Sequence, residues 1–125
     1  MLNQSTVKTT TGTTRKTILV DEFNSTALPC MVSNTGVQAN SEGKKIVKAG
    51  TPVAGSLTAR ETAFTVAADG TGAVGVVLHD VDVTGGTANS QVVIFGFIDV
   101  SKLESDVVTM VNAAAANLKM IQFVK

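Results

Sequence analysis

The chain predicts a mainly β domain of the α+β kind: short strands, one helix in the C-terminal half, and an extended, flexible N-terminal arm. Three observations carry this. Between residues 45 and 100, short runs of Val, Ile and Phe alternate with Gly-rich turns, the pattern of short β-strands. No helical period appears before Ser101. From Leu103 to Leu118 apolar residues then recur three and four apart, which is the helical period.

Each element follows from its residues. Thr fills seven of the twelve positions from Thr6 to Thr17. Thr is stiff at χ1 and favours extended backbone. No apolar alternation ties residues 1–17 to a core, so they read as a flexible arm and residues 18–125 as the folded domain. Ile18-Leu19-Val20 opens that domain, and Asp21-Glu22-Phe23-Asn24 turns the chain. Residues 28–32 read as strand, residues 37–40 as strand or loop, and residues 45–48 as a strand entering the turn Ala49-Gly50-Thr51-Pro52. Pro52 has no N–H for a ladder, which predicts an edge or a loop. Residues 53–63 read as a loop anchored by Leu57. Phe64 and Val66 share one face of a short strand over residues 63–67. Residues 73–83 start as a continuous apolar run and end in alternation. After the turn Thr84-Gly85-Gly86-Thr87, residues 91–100 return as strand. Gly96 within them marks a bulge or a close backbone approach. Ser101-Lys102-Leu103-Glu104 spells a capping box. Leu103, Val107, Val108, Met110, Val111, Ala114 and Leu118 form the apolar stripe of the helix behind it, and residues 120–124 close the chain as strand.

Bulk properties narrow the function classes. Ten basic and ten acidic residues cancel, so counterion release offers little and nucleic acid is not an expected partner. The balance is uneven along the chain. Residues 1–60 hold seven basic and three acidic residues, net +4; residues 61–125 hold three and seven, net −4. Two such halves either neutralise each other in one fold or favour ordered contacts between copies. No run has the length of a signal peptide core or a membrane span, which predicts synthesis in the cytoplasm and no membrane partner. Cys30 is the single cysteine and sits in Leu28-Pro29-Cys30-Met31-Val32, the setting of a buried thiol.

The motifs that resemble chemistry read better as structure. Gly70-Thr71-Gly72-Ala73-Val74-Gly75 spells the dinucleotide fingerprint. That chemistry needs a helix N-terminus behind the glycines; here they lead into a strand-like run, so they read as a turn and no cofactor is expected. His79 stands beside Asp80 and Asp82, but period 2 sends it to the opposite face, so no metal is expected. Asp99, Glu104 and Asp106 gather where the helix begins, where its dipole favours carboxylates. No nucleophile, base and orienter can be named together. No catalytic residue and no small-molecule substrate is therefore expected, and the chain does not read as an enzyme. Without Trp or Tyr, a base-stacking or sugar-binding platform is poorly supplied.

Three segments together resemble the tailed-phage head decoration proteins of the lambda kind. They are Lys44-Lys45-Ile46-Val47-Lys48-Ala49-Gly50-Thr51-Pro52, Gly72-Ala73-Val74-Gly75-Val76-Val77-Leu78 and Val92-Val93-Ile94-Phe95-Gly96-Phe97. The ending, Asp99-Val100-Ser101-Lys102-Leu103 and Ile121-Gln122-Phe123-Val124-Lys125, is similar to those of small capsid-associated proteins of phages of Gram-positive bacteria. The resemblance covers residues 44–125. It implies a small β-barrel or β-tulip-like body that forms a homotrimer on the capsid exterior of the virion. Its partners would be the major capsid protein and itself. Its role would be to stabilise the head against the pressure of packaged DNA. The arm matches by position and composition, and Thr9, Thr11, Thr13, Arg15, Ile18 and Val20 are its expected capsid contacts. A tail or baseplate component is the alternative structural role, and a small-ligand-binding β domain the alternative of another class.

Overall fold

The computed structural model describes residues 17–125. Thr9, Thr11, Thr13 and Arg15 lie outside them, as does all but Thr17 of the expected arm of residues 1–17. The described chain is mainly β, with eight strands and one α-helix. In order come β1 (Thr26–Val32), β2 (Ile46–Val47), β3 (Pro52–Ala54), β4 (Thr65–Val66) and β5 (Ala73–Val77). Then follow β6 (Val81–Asp82), β7 (Ala88–Asp99), α1 (Ser105–Ala114) and β8 (Ile121–Val124). Single 3-10 turns cover Glu22–Asn24 and Val100–Lys102.

The main sheet runs β1-β7-β5-β3-β4 with antiparallel neighbours. β8 joins β7 in parallel, pairing Gly96 with Ile121 and Asp99 with Val124. β2 and β6 form a separate two-stranded sheet. Phe64, just ahead of β4, bridges to Val32 of β1: its N–H donates to Met31 O at 2.7 Å and its O accepts from Ser33 N at 2.8 Å. That is one bridge between the two ends of the sheet and not a ladder, so the sheet is not a closed barrel.

β5 and β7 explain the two cores. Val76 pairs with Val93 and Val77 with Val92, and successive strand residues point to opposite faces. Val76 and Val93 enter a core with Val107, Val111 and Ala114 of α1. Val77 and Val92 enter a second core with Cys30, Val32, Val53 and Phe64. Both faces of β5 are covered, which is why its sequence shows no alternation. The α1 stripe is the one the sequence spells; Leu103 and Leu118 extend it beyond both ends of the helix into the same core.

A bulge divides β7. Thr26 pairs with Phe95 but Ala27 with Val93, so Ile94 is the extra residue. The facing order inverts there. Val93 and Ile98, five apart, enter the same core, and Phe95 and Phe97 turn to solvent. Gly96 completes the bend at φ +142°, a conformation L side chains rarely adopt, and a Cβ there would stand 3.0 Å from Ser25 Cβ. The expected bulge and the expected close approach both occur.

Three expectations need correction. Pro52 is neither edge nor loop; it is buried at the head of interior strand β3. The first position of a strand is the one place inside a sheet where the missing N–H does little harm, and Pro52 O still accepts from Ala67 N at 2.9 Å. Val53 and Ala54 are accordingly strand. Leu57 anchors nothing and is exposed; Phe64 does that work. As the sequence suggests, residues 73–83 fall into two parts: the chain changes sheets at residues 78–80, where Asp80 Oδ1 accepts Ala49 N at 2.8 Å. The capping box does not form. Asp99 takes the Ser101 N–H at 3.0 Å, and Glu104, at the N-cap of α1, reaches Lys48 instead.

Candidate functional site

Residues 18–20 are built into the sheet. Asp99 N donates to Ile18 O at 2.8 Å and Val20 N to Phe97 O at 3.0 Å, while Leu19 bridges to Ile98. Ile18 is fully buried in the α1 core. It was expected as a contact residue; the structure places it in the core instead. Val20, the other described residue of that set, is 56% exposed. The turn behind it is tied by Asp21, whose carboxylate accepts Phe23 N at 2.9 Å and Asn24 Nδ2 at 2.6 Å. The Asn24 bond first, then the Phe23 N–H, hold the Asp21 carboxyl below its ordinary range. The tied turn holds Phe23 out into solvent at 98% exposure. Phe95 and Phe97 of β7 are exposed as well. Sequence reasoning passed over these three aromatics. The one available signal was Phe23, a large apolar residue spelled into the polar turn Asp21-Glu22-Phe23-Asn24.

A second feature is an open groove of about 810 Å³ along β1. Pro29, Met31, Arg60, Glu61, His79 and Asn89 contribute to its wall. Two of its polar groups have structural tasks: Arg60 Nη1 donates to Pro29 O at 3.0 Å and Asp80 holds the Ala49 N–H. Outside the groove Asp82 holds Thr84 N at 2.9 Å. Asp80 and Asp82 thus cap different backbone groups, and among the described residues no three His, Cys, Asp or Glu side chains gather as a metal site. Cys30 belongs to the wall yet is only 4% exposed. Burial pushes its thiol above the ordinary range, against a smaller downward pull from Arg60. A buried thiol with a raised pKa is a poor nucleophile. Cys30 is expected to stay unreactive to a disulfide reagent such as DTNB in buffer and to react fully in urea; fast native labelling would contradict its burial.

The acidic cluster at the start of α1 is an ion-pair network. Lys48 Nζ lies 3.3 Å from Glu104 Oε1 and 3.2 Å from Asp106 Oδ2. Partial burial raises the Asp106 pKa, but the Lys48 hydrogen bond and charge outweigh it and leave the group below its ordinary 3.8. A depressed carboxylate stabilises above its ordinary pKa and loses that contribution as pH falls through its lowered one. All three side chains are more than a third exposed, so solvent screening holds the network to about 1 kcal/mol or less. Lys48→Met is therefore expected to lower stability by no more than that at pH 7 and to leave it unchanged at pH 2. Urea denaturation at the two pH values measures both.

The fingerprint glycines have structural reasons. Gly70 takes φ +82° under the end of α1, and Asn117 Nδ2 donates to its carbonyl at 2.7 Å. A Cβ at Gly75 would stand 2.5 Å from Val93 O. The motif leads into β5, not into a helix. No protein-family model matches the chain, and no curated protein matches it.

Proposed function

We propose that this chain is a virion structural protein, a decoration protein that binds the outer surface of an assembled phage head as a homotrimer and stabilises it against internal DNA pressure. The resemblance over residues 44–125 suggests the class, and one structural observation carries the mode of binding. The leader is pegged to the body at Ile18, so pull on residues 1–16 is transmitted into the sheet through residues 18–20 and 96–99. A Thr-rich leader suits strand addition to a partner's sheet edge. Sixteen extended residues reach roughly 50 Å, and three leaders on one body raise the effective concentration of each contact. The Val32–Phe64 bridge supports a small barrel-like, tulip-like body that would hold the leaders rigidly. The partners are the major capsid protein and the chain itself, and no catalysis is involved.

The test is co-sedimentation with DNA-free expanded heads of the virus that encodes the chain. Deletion of residues 2–16 stops short of Ile18 and is expected to leave a folded trimer that no longer sediments with heads. Full occupancy by the truncated protein would refute the leader's role, and addition to tails and not to heads would favour a tail or baseplate component. The groove along β1 favours a second reading, a small-ligand-binding β domain; a thermal-shift screen with nucleotides and sugars that raises the melting temperature would support it.

A further inference from the structure

The outer edge of β1 has a strand position beside it that backbone only half fills. Phe64 N donates to Met31 O at 2.7 Å and Ser33 N to Phe64 O at 2.8 Å. This is how one residue of a parallel strand bonds two residues of its neighbour. Residues two apart on a strand face the same edge. Two residues upstream of Phe64, a continued parallel strand would therefore donate to Pro29 O and accept from Met31 N. Thr62 holds that place in the sequence, but its N–H is tied to Ala59 O at 3.1 Å and the chain turns away. The Arg60 side chain reaches back instead, and its Nη1 donates to Pro29 O at 3.0 Å. Among the described residues no carboxylate pairs with that guanidinium. Pro29, Met31 and Arg60 all line the open groove along β1, so the position is open to a ligand.

We propose that this groove binds the free C-terminus of a partner polypeptide, added beside β1 as a short parallel strand with Arg60 holding its carboxylate. Hydrogen-bond geometry chooses the direction. An antiparallel segment exchanges both bonds with a single residue of the edge. Opposite Pro29 it lacks the N–H, and opposite Met31 the carbonyl already accepts Phe64 N. A parallel segment needs only Pro29 O and Met31 N. Direction then chooses the end. A segment parallel to β1 runs toward Phe64, which already occupies the next position on the edge, so the segment must stop there. Its last N–H takes Pro29 O from Arg60, and its carboxylate takes the Met31 N–H and the released guanidinium. Strand addition and carboxylate capture are both established ways of holding a peptide, and a carboxylate–guanidinium bond is among the stronger hydrogen bonds. Such a site is independent of the decoration reading, and its failure leaves that reading standing.

The experiment uses the full chain and three forms of one fluorescein-labelled peptide, Thr-Val-Thr-Val-Val. These are the free acid, the C-terminal amide, and the acid with its last backbone nitrogen methylated. Fluorescence anisotropy reads binding to the wild type and to Arg60→Met. An unchanged urea midpoint establishes folding of the variant, and the comparison of peptides on the wild type stands alone if the midpoint moves. The wild type is expected to bind the acid saturably, and the amide and the methylated form about tenfold or more weakly. Arg60→Met is expected to bind acid and amide alike, because Met31 N–H serves either oxygen and the charge that told them apart is gone. No saturable binding of the acid overturns the inference, as does equal binding of acid and amide by the wild type. Full affinity for the methylated acid overturns the strand pairing, and a retained preference for the acid in Arg60→Met overturns the role of the guanidinium.

Discussion

Replacing Phe64 by alanine is expected to lower the unfolding free energy by about 3–5 kcal/mol. The ring is fully buried in the second core. The chain crosses it so closely that a Cβ at Gly55 would stand 2.7 Å from Phe64 Cγ. Alanine keeps the two backbone bonds that join Phe64 to β1, so the loss isolates the ring. Its neighbours in that core include Val32, Val53, Val77 and Val92. These are stiff at χ1 and anchored in strands, so they cannot swing into the vacated space. The cavity should stay open and the cost fall in the upper part of the range. Against a typical total of about 5–15 kcal/mol for a domain, this is enough to leave a large unfolded fraction at modest urea. Urea denaturation followed by circular dichroism gives the number, and a loss below about 1.5 kcal/mol would show that the ring is not packed in a close-fitting core.

Gly70→Ala is expected to cost about 2–5 kcal/mol. The left-handed conformation contributes about 1–2 kcal/mol for any residue with a Cβ. The new methyl adds overpacking of about 1–3 kcal/mol. It would stand 2.5 Å from Ala113 O and 2.7 Å from Ala114 Cα. Both are helix backbone, so relief requires shifting the end of α1 and with it the Asn117 bond to Gly70 O. Gly85→Ala is the control: nothing lies within 4 Å of a Cβ there, and the change is expected to be near neutral. The pair also discriminates between meanings of the fingerprint motif. A turn fitted under a helix predicts a large stability loss at Gly70, whereas a nucleotide loop predicts lost nucleotide binding with stability kept.

Much of the fold is legible in the residues because it depends on local forces. The α1 stripe, the buried run of β5, the strand at Ile121–Val124 and the buried Cys30 follow from periodicity and burial alone. Gly96 announces its bulge because only glycine tolerates that backbone. The candidate site was only partly legible. Val20 was named from its place in the leader, but Ile18 was assigned to a surface and belongs to the core. Phe95 and Phe97 sit in an apolar run whose facing cannot be read without knowing that Ile94 is the extra residue.

Composition and spacing by themselves determined a mainly β chain with one C-terminal-half helix. The tertiary structure alone decided that Pro52 heads an interior strand, that residues 73–83 divide between two sheets, and that Phe95 and Phe97 meet water. The physical reason is the range of the forces involved. Propensity and periodicity act over a few residues, whereas a strand's neighbours, its register and the side that meets water are set by hydrogen bonds and packing between segments far apart in the chain.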